Sequence, residues 1–159
     1  MAEPSNSEHL ADTEALLQTE SEFHLSYDAS VPCVAMTWRG YHTTPSFREK
    51  NEQVLGLIQE RKASRILCDI RRFLLISAAD QVWLSGDWLP RAMAAGLRHC
   101  AIVTPAYFFN QVAVRSVADQ IDAHVLRVDH FESVEQARLW LQRIPAAGNT
   151  PHRLGNVTV

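Results

Sequence analysis

The 159-residue sequence predicts an α/β domain whose mixed sheet of about five strands is covered by helices. Three observations carry that expectation. Two strand-like segments come first, joined by the turn DASVP. Short, nearly all-apolar runs then alternate with segments of helical period. No internal repeat and no linker divides the chain. The order reads β-β-α-β-α-β-α-β-α. That is an N-terminal antiparallel hairpin followed by βαβαβα units with parallel strands and right-handed crossovers.

Residues 1–14 are polar, acidic and without period, so they predict a disordered arm. Residues 15–143 are expected to form a single domain, and 144–159, rich in Pro, Gly and polar residues, a flexible tail. Both ends are expected to be dispensable for folding. From Leu17 to Tyr27 the apolar residues Leu17, Phe23, Leu25 and Tyr27 share one face of a half-exposed strand. CVAMTWRG returns as the second strand. TTPS opens a helix with Pro45 in its first turn and Phe47, Val54, Leu55 and Ile58 at helical spacing.

RILCDI reads as a third strand, buried on both faces and ending at Asp69. Ser77 is placed to N-cap the next helix, starting at Ala78. SGDWLP interrupts that helix. Gly86 weakens it, Asp87 can cap a new one, and Pro90 is tolerated only in a first turn. Two short helices or one kinked helix are expected, ending at Gly96. HCAIVTP is the fourth strand, FFNQVAVRSVADQI a helix, and HVLRVDHF the last strand. SVEQARLWL begins a final helix with Ser133 as N-cap and Gln136 at the reciprocal position.

Composition narrows the function. A net charge of −3 gives no electrostatic footprint for nucleic acid. No apolar run approaches ~18 residues, so no membrane span is expected. The acidic N-terminus lacks the basic start and apolar stretch of a signal peptide, which points to the cytoplasm. Three cysteines, Cys33, Cys68 and Cys100, are an odd set without a close pair and read as free buried thiols. Seven histidines show no i, i+4 pair, and there is no Cys-x-x-Cys, so no metal is expected. His99 is expected to be a hydrogen-bonded core residue. No nucleophile elbow, glycine-rich phosphate loop or cofactor fingerprint occurs. A non-enzyme without cofactor is therefore expected; a catalytic site assembled only in space is the alternative.

Two sets of residues are candidates for binding. Asp69, Arg71, Arg72 and Ser77 surround the strand-to-helix corner CDIRRFLLIS. Backbone N–H groups at a helix start and two guanidinium groups suit a phosphate, a carboxylate or an acidic partner residue. Against this stands the plain reading of Ser77 as a cap and the arginines as solvated loop residues. Trp38, Trp83, Trp88 and Met93 are placed to line an apolar ligand pocket or a partner interface; the competing reading is helix-on-sheet packing.

MTWRGYHTTPSFREKNEQVLGLI, RILCDIRR, WLSGDWLPRAMAAGLRHCAIVTP and HFESVEQARLWL together resemble the bacterial SpoIIAA-like family, whose members are labelled STAS/SEC14-domain proteins. The Trp-x-Gly of the second strand, WLSGDWLP and the closing FESVEQARLWL carry the closest likeness, over about residues 20 to 142. The resemblance implies a STAS-like fold and a regulatory module that binds a protein partner, with a role in bacterial signalling. It also places Ser77 near the phosphoacceptor serine of the anti-sigma antagonists. The Asp-Ser-Ser-Gly type motif of those proteins is replaced here by RRFLLISAAD. The second function expected is the binding of a small apolar or lipid-like ligand, with the tryptophan-rich helix as a lid. A lipid carrier should hold a closed apolar cavity of several hundred Å3, roughly 300 or more, whereas a partner module should show a packed core and an exposed apolar patch. Homo-oligomers are left open.

Overall fold

The computed structural model describes residues 21–74, 76–104 and 125–145. The expected arm, nearly all of the expected tail and the expected helix over 108–121 lie outside the described residues. The elements are β1 Glu22–Asp28, β2 Cys33–Gly40, α1 Thr44–Arg61, β3 Arg65–Phe73 and α2 Ala78–Trp83. A π-helical segment, Leu84–Trp88, then leads into α3 Leu89–Ala94, β4 His99–Val103, β5 Arg127–Phe131 and α4 Val134–Arg143. The five strands lie in sequence order in one sheet. β1 and β2 are antiparallel, and every later pair is parallel.

The two-residue period of the strands divides the core. On one face Val34, Met36 and Trp38 of β2 and Ile66, Cys68 and Ile70 of β3 pack under α1 and α3. On the other, Cys33, Leu67, Ala101 and Val103 pack under Ala137 and Leu141 of α4. β3 is buried on both faces as far as Ile70, as its apolar run predicts. β1 lies at the sheet edge, and only its Phe23, Leu25 and Tyr27 reach the core.

The caps follow the side chains available. Thr43 accepts the Ser46 N–H at 3.4 Å, with Pro45 in the first turn of α1. Ser77 accepts the Asp80 N–H at 3.1 Å, and Ser133 accepts the Gln136 N–H at 3.2 Å. Gly96 has φ +115°, which only glycine adopts without strain. There the Leu97 N–H returns to the Ala92 carbonyl at 3.0 Å and closes the end of α3.

Three expectations need correction. Asp69 does not end β3. Beyond it an extra residue in β3 bulges against β2, and pairing resumes at Arg39 with Arg72 and Gly40 with Phe73. The bulge shifts the phase of the strand, so Phe73 joins Ile70 in the core under α1. Asp87 caps nothing. The helix is interrupted at the expected residues, but by a π segment in which the Leu89 N–H reaches the Leu84 carbonyl. The Asp87 carboxylate instead accepts from Arg91, one turn on, at 2.8 Å. Finally, the last strand begins at Arg127 rather than His124, because Val125 and Leu126 precede it as turn and loop.

His42 closes the β2–α1 corner. Its ring is buried, with Nε2 at 3.2 Å from the Glu22 carbonyl and 3.0 Å from the Arg39 carbonyl. Two acceptors require Nε2 to carry the hydrogen and donate; Nδ1 then faces the Ser46 hydroxyl at 3.5 Å. Burial lowers its pKa from the ordinary 6.5, helped by the Lys50 charge and opposed by the carbonyl hydrogen bonds. A folded pKa below the unfolded one gives stability that is present above pH ~6.5 and is lost as pH falls. The thermal midpoint should therefore fall between pH 7.5 and pH 5.5, and His42→Gln should flatten that fall. An unchanged slope in the variant would remove His42 from the account.

Candidate functional site

The structure separates the corner residues that the sequence placed together. Asp69 is buried and is gripped by Arg71 through two side-chain bonds, Nε to Oδ1 at 3.0 Å and Nη2 to Oδ2 at 2.8 Å. The Arg71 backbone N–H adds a third at 3.2 Å. Burial pushes the Asp69 carboxyl up, but these bonds and the charges of Arg71 and Arg39 outweigh it and hold the carboxyl below the usual range. The Arg71 fork is thus already engaged by an internal carboxylate. Arg72 is exposed and stands in register with the exposed Arg39 of β2. Ser77 lies beyond the end of β3, with its hydroxyl engaged as the α2 cap.

Beside this corner lies Asp80, which the sequence reading passed over. Its buried carboxylate accepts the Thr44 hydroxyl at 3.0 Å and Arg48 Nε at 3.0 Å. It ties the start of α2 to the start of α1. The signal was present in the sequence as an acid three residues after the Ser77 cap.

Among the described residues an apolar cavity of about 110 Å3, partly open to the surface, lies between the sheet and the helices. Met36, Trp38, Cys68 and Ile70 form its floor on β2 and β3, and Cys100, Ile102 and Val128 extend the floor across β4 and β5. Phe47 and Asn51 of α1 wall one side, and Leu84, Trp88 and Leu89 form the roof. Phe73 joins the lining through the β3 bulge. Of the four expected aromatic and Met candidates, Trp38 and Trp88 line the cavity. Trp83 packs outside it, its ring 6.3 Å from that of Phe47 and under the Arg48 guanidinium at 5.2 Å. Met93 packs, partly buried, against the same core without lining the cavity.

Two interactions fix the walls. Trp38 is held among aromatic rings, with centroids at 4.4 Å to Phe23, 5.3 Å to Phe47 and 5.5 Å to Phe73. Trp88 donates its Nε1–H to the backbone carbonyl of Asn51 at 2.7 Å, which locks the roof to α1. Nothing in the sequence marks Asn51, Cys100, Ile102 or Val128 as lining, because residues from seven elements meet there only in the folded chain.

The cysteines are chemically quiet. Burial pushes the Cys33 thiol up to about 11 and the Cys100 thiol up to about 12, and raises Cys68 well above its ordinary value. None is a thiolate near neutral pH. His99 has no ring hydrogen bond among the described residues, contrary to expectation; it lies edge-on to Trp140 at 6.0 Å instead. Among the described residues no cluster of His, Cys, Asp or Glu is arranged to hold a metal ion, and no helix is long and apolar enough to cross a membrane.

A family model described as SpoIIAA-like matches residues 33–142, more than half of the chain. No curated protein matches, and no solved structure matches.

The corner makes a sharp prediction about stability. Arg71→Ala strands the buried Asp69 carboxylate and should cost about 1–2 kcal/mol, the range for a charged hydrogen bond at a half-exposed partner. Arg72→Ala should change stability by less than about 0.5 kcal/mol. Urea titration of both variants checks this. Equal effects would show that Asp69 does not depend on Arg71.

Proposed function

The chain belongs to the SpoIIAA-like family, and from that premise we propose that it is a non-catalytic binding module whose ligand is a small apolar molecule or apolar group held in the cavity under the π segment and the start of α3. The fold is STAS-like, and domains of this kind are regulatory and binding modules. The cavity carries the reading. Among the described residues its lining is almost wholly apolar and it is partly open to the surface, so an apolar occupant takes that lining out of contact with water. The size limits the occupant to a ring or a short aliphatic segment; a cavity of about 150 Å3 admits benzene or xenon. It is well below the several hundred Å3, roughly 300 or more, expected of a carrier for a whole lipid.

One observation favours a protein partner as a second reading. Arg39 and Arg72 face the same side in register on adjacent strands, a like-charge pair that an acidic partner residue would relieve. Arg39 is only 3.8 Å from Glu22, which screens it in part. Tyr41 and Leu74, both exposed, follow these arginines at the ends of β2 and β3, and the Leu74 N–H bonds the Gly40 carbonyl at 3.1 Å. An apolar ligand and a partner at this rim are compatible, since none of Arg39, Tyr41, Arg72 and Leu74 lines the cavity.

Cys100→Leu separates the ligand reading from simple surface adsorption. It places a larger side chain on the cavity floor. Toluene at ten times its dissociation constant should stabilise the native protein by about 1.4 kcal/mol, a midpoint rise of about 3–6 °C. In Cys100→Leu that rise should vanish while the ligand-free midpoint is kept or raised. A rise that persists in the variant places the ligand elsewhere, and no rise in either protein contradicts the proposal.

A further inference from the structure

Asn51 is at odds with its surroundings. It sits inside α1, is 3 % exposed, and among the described lining residues is the one with a carboxamide side chain, the others being apolar. Asn is an unfavourable residue for a helix interior, and burying an amide requires partners. Leu or Met would serve the packing better.

The hydrogen bonds of Asn51 are nearly all assigned. Its Nδ2 donates to the Phe47 carbonyl at 2.9 Å. A carbonyl accepts only from a donor, so the orientation of the amide follows. Its own backbone carbonyl accepts from Trp88 Nε1 at 2.7 Å. The Phe47 carbonyl stands one helical turn before the Asn51 N–H and is already served by the helix ladder, so the backbone does not need the amide. Oδ1 remains. Among the described residues it makes no hydrogen bond, and since no fully buried side-chain N or O among them lacks a partner, Oδ1 keeps some accessible surface where Asn51 lines the cavity.

We infer that the cavity selects a small apolar molecule that carries one hydroxyl or N–H donor, and that Asn51 Oδ1 is the acceptor that recognises it. This rests on the proposed apolar-ligand reading and narrows its chemical class. An ionised carboxylate is the wrong partner: no cation is among the described lining residues, and Oδ1 would face it with a second acceptor. A plain hydrocarbon fits but leaves Oδ1 unpaired. The nearby thiols of Cys68 and Cys100 are uncharged and are weak donors at best. The amide is held from two sides, by Phe47 and through the main chain by Trp88, so the acceptor is positioned before the ligand arrives.

Phenol and toluene test this, since they match in shape and differ in one donor. Both are titrated by NMR against the wild type and against Asn51→Leu. The ratio of phenol affinity to toluene affinity should fall about tenfold in Asn51→Leu, the size of one net buried hydrogen bond. The toluene affinity of each protein is the reference, so any change that Leu makes to the room in the cavity cancels in the ratio. If the ratio is the same in both proteins, Asn51 is not the acceptor and the inference fails while the apolar-ligand reading stands. If neither compound binds the wild type, the apolar-ligand reading fails and takes the inference with it. Should Asn51→Leu not fold, anisole replaces the variant. It keeps the ring oxygen and lacks the donor, so wild-type protein that binds anisole less tightly than phenol, relative to their transfer from water, supports the inference, and equal binding overturns it.

Discussion

The hydrogen bond from Trp88 Nε1 to the Asn51 carbonyl holds the helical layer in place. α2, the π segment and α3 form a single roof over the sheet, and this bond ties its middle to α1. At the near end Asp80 does the same through Thr44 and Arg48. Between these two fastenings the roof is set by its own geometry rather than by collapse onto the floor. The π segment supplies the phase it needs, because one extra residue in a turn rotates everything that follows. Pro90, which cannot donate, falls just where the regular ladder has already been broken.

A roof fastened at two points over a pleated floor need not fill the space beneath it. Away from Met36 and Trp38 the floor carries two small side chains, Cys68 and Cys100, on neighbouring strands and facing the same volume. The large rings stand at one end instead, where Phe23, Trp38, Phe47 and Phe73 pack on one another. The β3 bulge brings Phe73 into that group. The result is a stiff aromatic wall, a soft sulfur-lined floor and a void between them. Proteins usually close such space, since packing density in interiors approaches that of organic crystals. Two cysteines where larger aliphatic side chains would fit are the sequence-level trace of the void.

Much of the fold was legible because it rests on period and punctuation. β2 was read to the residue from CVAMTWRG, and Phe47, Val54, Leu55 and Ile58 are all buried as their spacing implied. Ser77 and Ser133 cap where a short hydroxyl precedes an apolar run. The misreadings have physical causes. Asp69 looked like a strand end because a carboxylate is costly in a buried strand, and Arg71 two residues on removes that cost and lets β3 continue. Asp87 looked like a cap because Gly86 and Pro90 flank it, yet a π turn needs no cap and leaves Asp87 to Arg91. The cavity was half legible. Trp38 and Trp88 stood out by type, whereas Asn51, Cys100 and Val128 are ordinary residues in sequence and are brought together only by the sheet order and the helix phase.

Diffraction from crystals under xenon reports an apolar void without asking for any particular chemistry. One ordered xenon is expected between Trp38, Trp88 and Ile102, with the Trp88 to Asn51 bond intact. A structure in which those side chains meet and exclude the gas would contradict the open cavity.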